Sequence, residues 1–173
     1  SDVSIQNVQM IEGRYVYINA VLKKLDVYSY GYAKGSGLGA NIDAMNDLKV
    51  SLTANTRVEG VTVIGHDGAV INATSEPDYL DANVHTDARV QLNAIGHAYA
   101  KSKVITREAA TVTVQNLIYK GASIRIDNRE ITGDRIRHEE HTGGFIRKHT
   151  SDDSDFQSSS SITVKNITLY LGD

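Results

Sequence analysis

One segment of the chain concentrates the side chains that bind metal ions, namely imidazoles and carboxylates. Five of them are candidate ligands: His138, His141, Asp152, Asp153 and Asp155. The two histidines lie three residues apart, whereas the helical zinc-protease motif His-Glu-x-x-His places them four apart. The aspartates could supply oxygen ligands to calcium, although the full pattern of an EF-hand loop is absent. We therefore treat the two histidines as a hypothetical zinc or nickel site and the three aspartates as a hypothetical calcium site. A solvated acidic loop is the alternative, and no other cofactor is expected.

A row of tyrosines is suited to contact with a ligand or another protein. Tyr28, Tyr30 and Tyr32 alternate with small or apolar residues, so they share one face of an extended strand. Outward aromatic rings in a row can stack on sugar rings or pack against a neighbouring subunit. We expect a subunit contact here, and the sugar-binding interpretation stays open.

A second group of polar side chains shares the outer face of another extended segment. Its members are Asp81, His85, Asp87 and Arg89. Enzymes that cleave polysaccharides use two carboxylates held a short distance apart. However, every half-buried strand carries polar residues on its wet face, and nothing in the sequence distinguishes these four. The chain is therefore not expected to be an enzyme. The alternatives are a carbohydrate-active β-helix enzyme and a carbohydrate-binding module.

The elements that position these residues are predicted to be strands. From Leu80 to Val104, every second residue is apolar or small, and the residues between them are mostly polar. A period of two indicates extended chain with one buried face, but the stretch is much longer than a typical strand. The chain must therefore turn corners while it keeps one face inward. A similar alternation from Ala40 to Thr56 is interrupted at Asn46, which predicts a polar corner there.

The composition excludes several classes of function. The 173 residues contain no cysteine and carry a net charge of −3, so disulfides, thiolate metal sites and a basic nucleic-acid footprint are not expected. No apolar run is long enough to span a membrane. With no tryptophan, two phenylalanines and one proline, the core must consist mainly of small aliphatic side chains. Such a core suits thin, stacked β-layers within a single domain.

A short phrase recurs along the chain at nearly regular intervals. It reads Val-Ser-Ile-Gln-Asn from Val3, Val-Thr-Val-Gln-Asn from Val112 and Ile-Thr-Val-Lys-Asn from Ile162. A looser copy begins at Thr56, so successive starts are 53, 56 and 50 residues apart. Periods of this length are typical of solenoids, propellers and arrays. Tight hairpin dipeptides are nearly absent, which argues against a propeller.

The repeat predicts the fold and its internal organisation. We expect an all-β domain spanning residues 1–173, a parallel β-solenoid (β-helix) of ~50–55-residue units with two or three coils in each unit. The units are approximately 3–55, 56–111 and 112–161, with a partial unit at 162–173. Residues 129–160 do not follow the pattern and are expected to form a loop insertion. Neither end carries a capping pattern, which predicts a window of a longer array or a unit that assembles end to end.

Three stretches combine alternating alanines with glycine-rich corners. They are Tyr-Ala-Lys-Gly-Ser-Gly-Leu-Gly-Ala at 32–40, Val-Thr-Val-Ile-Gly at 61–65 with Gly-Ala-Val-Ile-Asn-Ala at 68–73, and Ala-Ile-Gly-His-Ala-Tyr-Ala at 94–100. This rhythm resembles the repeats of giant bacterial filamentous adhesins and large exoproteins, the haemagglutinin-like and leukotoxin-like β-helical surface proteins. The likeness covers roughly residues 1–130 and 161–173.

The resemblance implies a structural or adhesive role in a secreted filament of the bacterial cell surface or extracellular matrix. The implied partners are other copies of the chain or neighbouring repeats, together with cell-surface glycans or proteins. Nucleic acid is not an expected partner, and the chain is not expected to span a membrane. The location it implies is extracellular.

Overall fold

The computed structural model describes residues 1–36, 39–76, 79–90, 96–128, 134–143 and 148–172. Within these residues the chain is all-β and contains no helix. The strands are β1 (Asp2–Gln6), β2 (Met10–Leu22), β3 (Leu25–Gly35), β4 (Ala40–Glu59), β5 (Thr62–Ser75), β6 (Leu80–Val90), β7 (Gly96–Gly121), β8 (Ile124–Asn128), β9 (Asp134–Gly143) and β10 (Lys148–Leu171). Alternating Val, Ile, Ala and Thr residues favour this extended conformation because one side of each strand can pack while the other stays wet.

The strands form two parallel sheets. In the larger sheet the order is β1-β4-β7-β5-β2, with β10 added to β7 and β8 added to β5. The smaller sheet has the order β3-β6-β9. Every pairing among the described strands is parallel, as the sequence predicted. Parallel neighbours need long connections, and here each connection is made of further strands.

Hydrogen-bonded neighbours lie one repeat apart in the sequence. Val3 pairs with Thr56, Thr56 with Val112, and Val112 with Ile162. These are the positions at which the recurring phrase starts. We call the strands within one such interval a layer. Because pairing advances by one whole interval from strand to strand, the expectation of two or three coils per interval does not fit the register. The reason is strand length, because β4 and β7 alone use 20 and 26 residues.

The recurring phrase ends at a sharp bend of the backbone. Asn7, Asn116 and Asn166 have φ angles of 59°, 51° and 53°, and Gly60 has 65° at the equivalent place. Asparagine and glycine adopt this left-handed conformation most readily. The Asn166 amide also donates a hydrogen bond to Asn116 Oδ1 at 3.1 Å. The phrase thus encodes a corner that is repeated in successive layers.

The core is built from small aliphatic side chains, as the composition predicted. Its main cluster includes Val58, Val63, Ile71 and Leu80, which are completely buried. These residues come from β4, β5 and β6, so the two sheets share one apolar interior. Burial of these side chains is the principal stabilising contribution.

Tyr119 is, with Tyr79, an exception to the small core residues, and it places a buried phenol at the end of β7. Its hydroxyl lies 3.1 Å from the Gly65 carbonyl and 2.6 Å from the Ser123 carbonyl, to which it donates. Burial raises the pKa of Tyr119, and the hydrogen bond to Ser123 opposes that shift. The Tyr119 hydroxyl therefore supplies a hydrogen-bond donor to backbone carbonyls where the chain bends toward β8.

Among residues 129–160, the described segments 134–143 and 148–160 form strands and not the expected loop insertion, whereas 129–133 and 144–147 lie outside the described residues. In this region β9 pairs in register with β6, and β10 pairs with β7 from Lys148 onward. The polar sequence hides this strand character because two inward positions are occupied by His138 and Glu140. Both are hydrogen-bonded to Ser102, so the strand can continue without apolar residues there.

The predicted corner at Asn46 is also absent, because this residue lies inside β4. Its buried side chain accepts a hydrogen bond from the Ser29 hydroxyl at 2.6 Å and donates to the His85 carbonyl at 3.1 Å. A buried amide is tolerated in a strand when its polar atoms are paired. Asn46 therefore links the larger sheet to the smaller one.

Candidate functional site

The outer face of the smaller sheet carries the tyrosine row. Tyr28, Tyr30 and Tyr32 are all exposed on β3, while the residues between them point toward the interior. Tyr30 and Tyr32 stack with ring centroids 6.3 Å apart. The row is thus a solvent-facing aromatic surface within the first layer of strands.

Two histidines extend this aromatic surface across the next layers. Tyr30 pairs in register with His85 of β6, and their rings stack at 5.1 Å. His85 in turn stacks on His141 of β9 at 5.1 Å. Together Tyr32, Tyr30, His85 and His141 form a continuous ring ladder that crosses three strands. Its spacing follows from the separation of neighbouring strands, about 4.8 Å.

Charged groups border the ring ladder on β6 and β9. Asp87 has a side chain only 2 % exposed and forms an ion pair with Arg89 at 2.5 Å. The hydrogen bond and charge of Asp87 raise the pKa of Arg89. His85 Nδ1 lies 3.2 Å from the Glu139 carboxylate. Because Asp87 forms this ion pair with Arg89, it does not belong to a pair of free carboxylates of the kind that cleaves glycosides.

A recess of about 360 Å³ lies beside Tyr28 on the same outer face. It is lined by Lys24, Asp26, Val27, Tyr28, Asp81, Asn83 and Arg137. Its lining combines both charges, an amide and an aromatic ring. Such a lining can bind a polar ligand through hydrogen bonds while a ring packs against the ligand's apolar face.

The candidate metal ligands do not converge on one point. His138 turns inward and contacts Ser102, whereas His141 lies in the outer ring ladder. The two histidines point in opposite directions because residues three apart in a strand face opposite sides. In the described ranges, no group of three or more His, Asp or Glu side chains is arranged to hold a metal ion.

The aspartates of the hypothetical calcium site are also separated. Asp153 pairs with Lys103 at 3.1 Å, and Asp155 pairs with Arg107 at 2.7 Å. The hydrogen bond from Arg107 lowers the pKa of Asp155. Asp152 is exposed on the same strand. Two of the three carboxylates are thus neutralised by cations of the neighbouring strand β7.

An internal polar cluster lies between β7, β9 and β10, and it was not predicted from the sequence. His138 Nδ1 is 2.6 Å from the Ser102 hydroxyl, which also contacts the Glu140 carboxylate. His138 Nε2 is 2.7 Å from the Ser154 hydroxyl. The histidine and glutamate side chains are 10 % and 12 % exposed. Only the strand register brings these four residues together.

Comparisons with protein-family models, with curated proteins and with solved structures gave no match. Among the described residues there is no helix that could cross a membrane. The function of the chain must therefore be inferred from its own geometry.

Proposed function

We propose that the chain is a structural and adhesive segment of a secreted bacterial surface filament, built as a parallel β-solenoid. The observation that carries this proposal is the register, in which paired residues lie one repeat apart and all described pairings are parallel. The strand groups β2-β5-β8, β3-β6-β9 and β4-β7-β10 would form three walls around the shared core. A hydrogen-bonded ladder that runs along the stack makes such a body a stiff rod.

Exposed apolar side chains at the two end layers support assembly of the rod from several copies. The last layer exposes Phe156, Ile162, Val164, Leu169 and Leu171, and the first exposes Val8, Met10 and Leu25. Among the described strands, β10 pairs only with β7, so its other edge offers unpaired backbone groups. A second copy that stacks on this edge would cover the apolar side chains and continue the ladder.

Electron microscopy of the purified chain tests this assembly. We expect rods longer than a single copy, and we expect Leu169→Lys to abolish them because a charge would be buried between copies. The matched control is Ile118→Lys, since Ile118 is also exposed but lies where β7 is paired on both sides, with Thr62 and with Thr168. Uniform single particles from the unaltered chain would contradict end-to-end assembly, as would equal loss of rods in both variants.

The ring ladder favours glycan binding as a second candidate function. Exposed aromatic side chains can pack against the apolar faces of sugars, and the recess beside Tyr28 supplies polar groups. We expect Tyr30→Ala to weaken binding to surface polysaccharide fragments on a glycan array by about tenfold. Tyr17→Ala is the control, because Tyr17 is also exposed but stacks on Tyr15 away from the ladder. Binding that both variants retain would exclude the ladder as the glycan site.

A further inference from the structure

The directions of the hydrogen bonds in the internal polar cluster can be assigned from its chemistry. An ionised Glu140 can only accept, so the Ser102 hydroxyl must donate to it. Ser102 Oγ is then free to accept a hydrogen bond, and the neighbouring His138 Nδ1–H donates it across 2.6 Å. The proton of the neutral imidazole is therefore on Nδ1. His138 Nε2 carries a lone pair and accepts a hydrogen bond from the Ser154 hydroxyl at 2.7 Å.

This arrangement is that of an activated serine nucleophile. A nucleophilic serine needs a base within hydrogen-bond reach, and the base needs a third group that fixes its tautomer. Ser154 is exposed on β10, whereas Ser102 is fully buried and Glu140 nearly so. The hydroxyl that would react is thus accessible in the single chain and at the free end of a rod, where β10 is uncovered. The groups that orient the base are shielded from water. Glu140 lies 3.7 Å from His138 Nδ1, and Ser102 bridges the two.

An apolar ring lies next to this hydroxyl. Phe156 follows Ser154 by two residues on the same side of β10 and is 42 % exposed. Neighbouring residues on one side of a strand lie about 7 Å apart, within reach of a short acyl chain. The neighbourhood of Ser154 therefore suits an ester whose acid part is apolar.

We propose that Ser154 accepts acyl groups from esters of apolar carboxylic acids, with His138 as general base and Ser102 and Glu140 as positioning residues. Ser154 Oγ forms a bond to the carbonyl carbon while its proton moves to His138 Nε2. The tetrahedral intermediate collapses, the ester C–O bond breaks, and the alcohol leaves with the proton from His138. Water then hydrolyses the acyl-serine by the same route, which regenerates the hydroxyl.

Acylation by p-nitrophenyl butyrate, located by mass spectrometry of the purified chain, tests the proposal. We expect one butyryl group on Ser154 and none on the serines at 158–161. In His138→Gln the rate should fall about 100-fold, since general-base catalysis contributes about 100-fold or more. Ser154→Ala should lose the adduct, whereas Ser160→Ala, which alters an exposed serine of the same strand, should retain it.

The rate of acylation in Ser102 variants tests the positioning role of Ser102. Ser102→Ala should slow acylation, and Ser102→Thr, which restores a hydroxyl, should recover it at a matched melting temperature. Acylation spread evenly over the serines of β10 would overturn the proposal. So would a folded His138→Gln variant that reacts at the unaltered rate, or a folded chain that neither carries an adduct nor releases p-nitrophenol.

Discussion

Leu80→Ala is expected to lower the free energy of unfolding by about 3 kcal/mol, because it removes a completely buried side chain from the main core cluster. Leu80 lies at the start of β6, in the middle layer of the smaller sheet, between Leu25 and Asp134. The cavity would be enclosed by layers on both sides, so the surroundings can relax only partly. Equilibrium unfolding in urea measures the loss.

The matched control is Leu25→Ala, which changes the same residue type at the paired position of the first layer. Leu25 is 38 % exposed, so its truncation should cost less than about 1 kcal/mol. The difference between the two variants reports the layer in which each leucine lies. Equal losses would contradict the assignment of Leu80 to an inner layer and Leu25 to an outer one.

Gly121→Ala is expected to destabilise the chain by about 3 kcal/mol, or to prevent folding. Gly121 pairs with Gly65, and a Cβ atom there would meet the Gly65 carbonyl oxygen and the Tyr119 hydroxyl. Its φ of 145° is also unfavourable for any residue with a side chain. Neither backbone can move away without breaking the ladder. Thermal unfolding followed by circular dichroism measures the effect.

Gly60→Ala separates backbone strain from steric contact. Gly60 also has a positive φ, 65°, but a Cβ atom there would have no heavy atom within 4 Å. Only the conformational cost remains, which is about 1 kcal/mol. If Gly60→Ala proved as damaging as Gly121→Ala, the close approach of Gly121 to Gly65 would not be the cause.

The strands and their parallel pairing could be predicted from the sequence. The alternation that begins at Leu80 marks β6, and the spacing of the recurring phrase equals the register offset between Val3 and Thr56. The number of layers per repeat could not be predicted, because a spacing of residues does not fix how many turns the chain makes between them. The pairing register decides it, because Val3 pairs with Thr56 and Thr56 with Val112.

The polar residues of the last repeat conceal its strands in the sequence. Strands β9 and β10 carry His, Glu, Asp and Ser residues at positions where earlier repeats carry apolar ones, so the period of two is hidden. His138 pairs with Val84 of the layer before, and this register is what places its imidazole inside. Alternation alone placed the three tyrosines on a common face. The two histidines of the ring ladder required the pairing of β3, β6 and β9 to be known.

One layer per repeat has a consequence for the dimensions of anything built from this fold. Each layer consumes 50 to 56 residues and raises the stack by only about 4.8 Å, the spacing of neighbouring strands. An array of a thousand residues would therefore be about 90 Å tall, whereas a single α-helix of that length would extend about 1,500 Å. Most residues of each layer therefore add to the width of the fold and few add to its height. If the proposed filament forms, it would gain its length from the number of molecules and its resistance to bending from its width.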